Sequence, residues 1–455
     1  MPAFNDKAKL SLSGNKMLFT LLVVGMTLFG FVMIYSASAP SAVAEGSSPF
    51  SYLLDQLKFA IIGGFVAFIA YRIDYRTWMT KAIYPFWLIC FGLVVLTMFS
   101  GAGGDTWGAQ RWLVLGPISM QPSEFMKVAL VLVGAKVMVE WHAGEYDNRT
   151  AITNAIVLVV IPAAVIFGTQ SDLGTTMIIA VGILSVMWLG EVPLRIILGI
   201  IGIVIVFALF ATFGSGYRSN RLLYLDPWGD GENGYGAGYQ IIQSFYAFAQ
   251  GGLFGTGIGN STQKYLYLPE SETDFIFSVI GEELGMVGAL LIIALFIVLL
   301  YAGLEIARNA EDEYGTMVAG SLTTMIVFQA FLNMGSAMGV FPTTGKPLPF
   351  ISSGGSSLIA TFIMVGLILS VARVSEGQSG QGARGRDIYE QRRDNLRVVR
   401  VADGADAGAA RERTTRFSAG GASGSTSRGA AGGGRSSSRG GYSGRNGANG
   451  ARSRR

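Results

Sequence analysis

Four clusters of ionisable and hydrogen-bonding residues interrupt an otherwise apolar sequence of 455 residues. The first runs from Arg111-Trp112 through Pro122-Ser123-Glu124 to Lys127. Proline at the first helical position and a carboxylate in the first turn suit an ordinary helix start, because the N-terminal end of the helix dipole is positive. Lys127 does not fit that account. One turn further into the apolar run its ammonium meets the wrong dipole end and the wrong solvent, so it is expected to point into a bundle or cavity. The second cluster is Gln170-Ser-Asp172-Leu-Gly-Thr175, where helix capping and function explain the carboxylate equally well. The third extends from Arg218 and Arg221 past Tyr239 and Gln243 to Lys264, Glu272, Asp274, Glu282 and Glu283. Asp274 again suits a helix cap, whereas Glu282 and Glu283 lie inside an apolar run and are costly there unless paired or functional. The fourth sets Lys346 in a Pro- and Gly-rich segment ahead of Ser352-Ser-Gly-Gly-Ser356-Ser357. Small residues with free backbone N–H groups at a helix start make a ready anion site.

Carboxylates, cations and aromatic rings carried on apolar elements suit a substrate with an anionic head and a greasy tail. A lipid pyrophosphate sugar fits best: cations hold the pyrophosphate, aromatic residues face the sugar, and gaps between helices receive the polyprenyl chain. These residues leave transport and catalysis both open. The single Cys90 excludes a disulfide framework, and the single His142 with no Cys/His cluster excludes a zinc site.

The elements that must position these groups are membrane helices. Half of the chain is hydrophobic and only 14% is charged, against about 25% in soluble proteins. The apolar residues come in blocks of roughly 20, long enough to cross a hydrocarbon core as helices and too long and apolar for barrel strands. The expected fold is all-α, a polytopic membrane protein with ten transmembrane helices near 17–39, 55–73, 79–99, 122–141, 150–168, 172–190, 193–214, 273–304, 315–341 and 355–374. The first block is too long for a signal-peptide core.

Lys7, Lys9, Lys16, Arg72, Arg76 and Arg373 flank the spans on one side, which the positive-inside rule makes the cytoplasm. Both termini are therefore expected to be cytoplasmic. The long connection 215–272, between helices 7 and 8, and the Pro-rich loop 342–354 are expected outside, so the polar machinery gathers on the extracytoplasmic face. The chain divides into a membrane domain over 1–375 and a tail over 376–455 of Gly, Ser, Ala and Arg. With sixteen Arg against seven acidic residues, the tail is expected to be disordered and to cling to anionic lipid heads, with Asp387 to Val401 able to form a surface helix.

Several long motifs, in order, are similar to those of the SEDS family (shape, elongation, division and sporulation), which includes the RodA and FtsW proteins. They are Gln110-Arg-Trp-Leu, Gln121-Pro-Ser-Glu-Phe, Gln170-x-Asp-Leu-Gly-Thr, Gly238-Tyr-Gln-x-x-Gln-Ser, Leu268-Pro-Glu, Thr273-Asp-Phe-Ile-Phe, Gly281-Glu-Glu-Leu-Gly, and Leu348-Pro-Phe-Ile-Ser with Gly354-Gly-Ser-Ser. The resemblance spans about residues 15–375. Gly259-Asn-Ser-x-Gln-Lys264 and Met33-Ile-Tyr-Ser-Ala-Ser look more like the division type, FtsW, than the elongation type, RodA.

The resemblance implies ten transmembrane helices with a long extracytoplasmic loop after the seventh. It implies glycosyltransfer from lipid II to a growing peptidoglycan strand, beside a class B penicillin-binding protein and other division-complex proteins in the bacterial cytoplasmic membrane, at the septum. It makes Asp274 the essential carboxylate. The substrate-binding residues it implies are Arg111, Trp112, Glu124, Lys127, Arg218, Arg221, Tyr239, Gln243, Lys264, Glu272, Lys346 and Ser356, with a divalent cation (Mg or Mn) as a candidate cofactor, no dedicated protein metal site and no nucleic-acid partner. Three positions depart from the family pattern: Glu272 stands for His, Ser171 for Pro and Ser353 for Tyr. A second carboxylate at Glu272 is expected to raise the pKa of Asp274 or to help bind a metal. The rival readings are a lipid II flippase, an elongation-type polymerase, and a scaffold without catalysis.

Overall fold

The computed structural model describes residues 2–100, 111–115, 118–170, 172–213, 226–230, 232, 234–236 and 238–376. The predicted tail from 377 onward, its candidate surface helix, and the predicted contacts Arg218 and Arg221 lie outside the described residues.

Every predicted apolar block is helical. In chain order the helices are α1 (Leu12–Ala44, continuing back to Pro2), α2 (Ser51–Arg72), α3 (Tyr75–Phe99), α4 (Pro122–His142), α5 (Asn148–Gln170), α6 (Leu173–Leu189), α7 (Leu194–Phe213), α8 (Tyr239–Gly251), α9 (Ile276–Arg308), α10 (Glu313–Ala337) and α11 (Gly355–Glu376). Among the described residues, seven of these are long and apolar enough to cross a membrane: α1, α2, α3, α5, α9, α10 and α11. α6 is a shorter apolar helix, and α4 carries Glu124, Lys127, Lys136 and Glu140 along its length.

Burial separates core from periphery. In the most apolar 18-residue stretches of α10 and α11, 78% and 72% of residues are buried, against 22% in α2, α3 and α5. The latter turn Ile61, Phe65, Phe68, Leu88 and Ile152 outward, as lipid-facing helices do when hydrocarbon replaces water. α10 packs against α9, α6 and α4, while α1 and α8 pack on α9. The helix starts are set by local chemistry: Pro122 occupies the first turn of α4, and the Asp147, Asp172 and Asp312 carboxylates cap α5, α6 and α10 by accepting from Thr150, Thr175 and Gly315 N–H.

Two features were not expected from the sequence. Two short antiparallel strands, β1 (Leu113–Leu115) and β2 (Ile118–Met120), pair between α3 and α4, with Leu113 opposite Met120 and Leu115 opposite Ile118. α9, 33 residues long, is broken at Gly285, whose φ of 68° and ψ of −169° are not helical. The backbone groups freed by the break are taken up by the preceding segment: Thr256 and Gly257 N–H donate to the Glu282 and Glu283 carbonyls at 2.9 and 3.0 Å, and Gly252 and Leu253 carbonyls accept from Met286 and Val287 at 2.9 and 3.2 Å. A break within an apolar helix persists only where its polar groups are satisfied in this way. At Gly255 (φ +81°) a Cβ would lie 2.1 Å from the Glu283 oxygen, so only glycine permits the approach.

Candidate active site at the converging helix starts

The first turns of α4, α6 and α11, the turn before α9 and the loop 342–354 meet in one polar cluster. Glu124 in the first turn of α4 is buried and bridges two ammonium groups, Lys127 Nζ at 2.7 Å and Lys346 Nζ at 2.9 Å. Lys346 continues to Asp172 Oδ2 at 2.8 Å. Asp172 therefore does more than cap α6: its Oδ2 also accepts from the Gln121 side-chain amide and the Thr175 hydroxyl, each at 2.8 Å. Two carboxylates and two ammoniums balance, which is the condition for burying any of them. The positive N-terminal ends of α4 and α6 favour the two anions.

Amides and hydroxyls complete the shell. Gln329 on α10 accepts from Lys127 at 2.7 Å and donates to the Pro347 carbonyl at 2.9 Å and Ser357 Oγ at 3.1 Å. Ser356 Oγ accepts from the Gln121 backbone N–H at 3.0 Å, joining the starts of α11 and α4. Gly174 makes room for the loop, since a Cβ there would lie 2.7 Å from Lys346 Cγ and 3.0 Å from Thr344. On α2, Gln56 exchanges hydrogen bonds with Ser352 O and Gly354 N at 3.1 and 3.3 Å.

Asp274 stands beside this cluster. The cap of α9 is Phe275, without a side-chain cap, so the capping reading of Asp274 is not realised. Its carboxylate has no hydrogen-bond partner among the described residues. It lines a narrow cleft with Phe275, Asn333, Ser336, Thr343, Thr344, Gly345 and Lys346. The cleft volume of about 10 Å³ is room for about one water. Burial pushes the Asp274 carboxyl up to about 7; the charge of Glu270 adds to this, and Lys346 and Arg111 pull the other way. The raising charge is thus Glu270, ahead of Asp172, where the sequence pointed to Glu272. Glu272 is itself raised by its own burial, accepts from Ser271 Oγ at 3.2 Å, and offers its carbonyl to Ser353 N–H at 2.9 Å. Lys346 is held above the usual ammonium range: burial lowers it, but Asp172 and Glu124 outweigh that.

The structure brings together Glu124, Lys127, Asp274, Lys346 and Ser356 from the predicted set. Arg111, before β1, donates its Nε to the Gln170 carbonyl at 2.7 Å and is close enough to act on Asp274 electrostatically. Trp112 is exposed beside it. Lys264 belongs to a second cluster, where its Nζ lies 2.8 Å from Glu283 Oε1 and 3.0 Å from Ser36 Oγ. Glu282 caps the turn before Lys264 by accepting from Ser261 Oγ at 2.5 Å and Thr262 N–H at 2.6 Å. Glu282 is hydrogen-bonded through both oxygens and Glu283 is ion-paired through Oε1, which offsets the cost of burying them, while Glu283 Oε2 is left without a partner. Tyr239 and Gln243 are half-buried on α8, Tyr239 stacked on Tyr235 at 6.4 Å. The same motif's Ser244 bonds Ser278 Oγ at 2.6 Å and the Ala337 carbonyl at 2.5 Å, fastening α8 to α9 and α10.

Gln121, Gln329 and Asn333 were missed as site residues. Gln329 and Asn333 carried a signal: two amides at i, i+4 inside an apolar helix need buried partners on one face. Among the described residues, no group of three or more His, Cys, Asp or Glu side chains converges as a metal cage.

The profile of the FtsW/RodA/SpoVE family, described as cell cycle proteins, matches residues 16–377. The chain belongs to this family. A probable peptidoglycan glycosyltransferase FtsW of Geobacter metallireducens is 40% identical over 359 residues, covering 78% of this chain and 94% of that one. Stage V sporulation protein E of Bacillus subtilis is 41% identical over 362 residues, 78% of this chain and 97% of its own. A subunit from a peptidoglycan synthase complex, solved to address the coordination of polymerization and crosslinking, superimposes with a TM-score of 0.63 at 28% identity over 78% of this chain and 97% of that chain.

Proposed function

We propose that this protein is an FtsW-type peptidoglycan glycosyltransferase that polymerises lipid II into β-1,4 glycan strands for septal wall synthesis during cell division. One observation carries the reading: Asp274 presents a carboxylate without a hydrogen-bond partner to a cleft, at a pKa of about 7, while Glu124 and Asp172 around it are spent on ion pairs. A base works best when its pKa lies near the operating pH.

Asp274 accepts the proton of the acceptor sugar's 4-hydroxyl as that oxygen attacks the anomeric carbon of the donor. The bond to polyprenyl pyrophosphate breaks on the opposite face, inverting the α-linked donor to a β-linkage. Positive charge around the site stabilises the departing pyrophosphate. Arg111, Arg218, Arg221, Lys264 and Lys346 are the proposed sources. For Lys346 this means sharing an ammonium already held by two carboxylates, which fixes its position and limits it to electrostatic action. A divalent cation, Mg or Mn, would be held mainly by substrate phosphate oxygens and water, with Glu270 as the carboxylate at hand, consistent with the sparse carboxylate set. It would neutralise leaving-group charge.

The topology that serves this reaction is ten spans, α1 to α7 and α9 to α11, with both termini cytoplasmic and α8 lying in the long outer connection. A class B penicillin-binding protein is the proposed partner and the septal cytoplasmic membrane the proposed location.

The test is polymerisation of labelled lipid II by the purified full chain with its cognate penicillin-binding protein. Asp274→Ala and Asp274→Asn should insert and bind the partner yet make no detectable polymer, a loss of about 10²–10⁴-fold for a general base. Normal glycan synthesis by either variant would refute the reading, and lipid movement across the bilayer without polymer would point to a flippase.

A further inference from the structure

Asn333 lies on α10, outside every motif that carries the family resemblance, and is 1% exposed. Its Nδ2 donates to two main-chain carbonyls, Asp274 O at 2.9 Å and Lys346 O at 2.8 Å. Only the NH2 end of an amide can satisfy two acceptors, so these contacts settle which end is nitrogen. Its Oδ1 is buried with no hydrogen-bond partner. An unpaired buried acceptor is destabilising, so the residue's value at this position lies in its two donors. Those donors span the walls of the cleft, which Asn333 lines together with Asp274 and the segment Thr343 to Lys346.

We propose that Asn333 is a positioning residue for the glycosyl transfer, an amide crosspiece that fixes the Asp274 and Lys346 main chains to α10 and so sets the reach of the Asp274 carboxylate toward the acceptor hydroxyl. The inference rests on the reading of Asp274 as the base. Its second support is the anchoring of the neighbouring residues. Lys346 is fixed at its side-chain end by Glu124 and Asp172 and at its carbonyl by Asn333, and Ser336, one turn along α10, holds the Pro342 carbonyl at 2.9 Å. The Asp274 carboxylate has no such anchor of its own, so its placement depends on the main chain that carries it. A misplacement of about 1 Å in such a group costs about 10²-fold in rate.

The experiment uses the full chain in complex with its penicillin-binding partner and reads lipid II polymerisation and thermal unfolding on the same preparations. Asn333→Ala removes the crosspiece, and kcat should fall about 10- to 100-fold with KM little changed. Asn333→Asp keeps the shape but turns an acceptor toward both carbonyls and adds a negative charge beside Asp274. Its kcat should fall as well, and the acid limb of its kcat/KM profile should move to higher pH, which a merely structural lesion does not do. Ser321→Ala, on the same helix and away from the cleft, should leave kcat unchanged. Wild-type kcat in Asn333→Ala would overturn the assignment. So would a loss that matches the unfolded fraction with no movement of the acid limb in Asn333→Asp. Asp274→Ala run alongside separates the two readings: if it is dead while Asn333→Ala is fully active, only the crosspiece fails, and if it still polymerises, the base assignment fails first.

Discussion

Lys346 Nζ lies 2.9 Å from Glu124 Oε1 although 222 residues separate them in the chain. Through this contact the Pro-rich loop after α10 and the first turn of α4 share one buried charge cluster, completed by Lys127 and Asp172. The cluster is neutral as a whole, and its stability should depend on charge balance more than on any single pair.

That dependence can be measured with a double-mutant cycle. Glu124→Gln leaves two ammoniums facing one carboxylate, and Lys127→Met leaves the reverse. Each should lower stability by about 3–5 kcal/mol, the usual cost of stranding a buried charge. The double variant restores neutrality around Lys346 and Asp172, so it should unfold at a higher temperature than either single variant. Additive losses in a thermal-unfolding assay in detergent would show that the pair is not coupled.

The acidity of Asp274 predicts a pH profile. A general base must be deprotonated, and its pKa of about 7 means that kcat/KM falls about tenfold per unit as pH drops below 7 and is flat above it as far as this group is concerned. Initial rates of lipid II polymerisation across two or so units either side of neutrality test this. An acid limb centred near the ordinary carboxylate value would contradict the buried, Glu270-biased setting described above.

The break in α9 should be intolerant of side chains where the two segments touch. Gly255→Ala places a methyl 2.1 Å from the Glu283 carbonyl oxygen at a φ of +81°, and should cost several kcal/mol or prevent insertion of a folded protein. Gly252→Ala, at φ +53° and ψ −138° with no atom within 4 Å, should cost less, about 1–3 kcal/mol for a backbone conformation nearly confined to glycine. Equal effects in a stability assay would mean that the stitching across the break is not tight.

Divalent-cation removal should act on rate and not on folding. With no acidic cage among the described residues, a chelator should slow polymerisation while the unfolding temperature stays within experimental error, and Mg or Mn should restore the rate. A large drop in unfolding temperature would instead indicate a structural metal.

The helices were legible because a bilayer demands long apolar runs, and each predicted block is helical. What happens between and within them was less so. The β1–β2 pair has only three residues per strand and lies in a stretch with no clear alternation. The break at Gly285 looks in sequence like any glycine in a long apolar helix, and only the approach of Gly255 explains it. For the site, residue types were readable and long-range partners were not. Lys127 was expected to point inward because an ammonium in an apolar helix must, and it does. The i, i+3 spacing of Glu124 and Lys127 made that pair readable, but nothing in the sequence says that Lys346 joins them or that Lys264 goes to Glu283. Those pairings are set by tertiary packing, across 222 residues in the first case. Asn333 was missed for the same reason, since its two acceptors are main-chain atoms that carry no sequence identity.

The stitching of the 251–264 segment to the Gly285 break bears on how inactive variants should be interpreted. Both Glu282 oxygens accept from Ser261 and Thr262, and Glu283 Oε1 holds Lys264 and Ser36 while its Oε2 is buried without a partner, so both residues brace the break. A dead enzyme obtained by changing either one reports on a collapsed scaffold and is silent about chemistry. In this protein an acid whose oxygens tie neighbouring segments together is a brace, and mutational scans that rank acidic residues by lost activity alone will mistake braces for reagents.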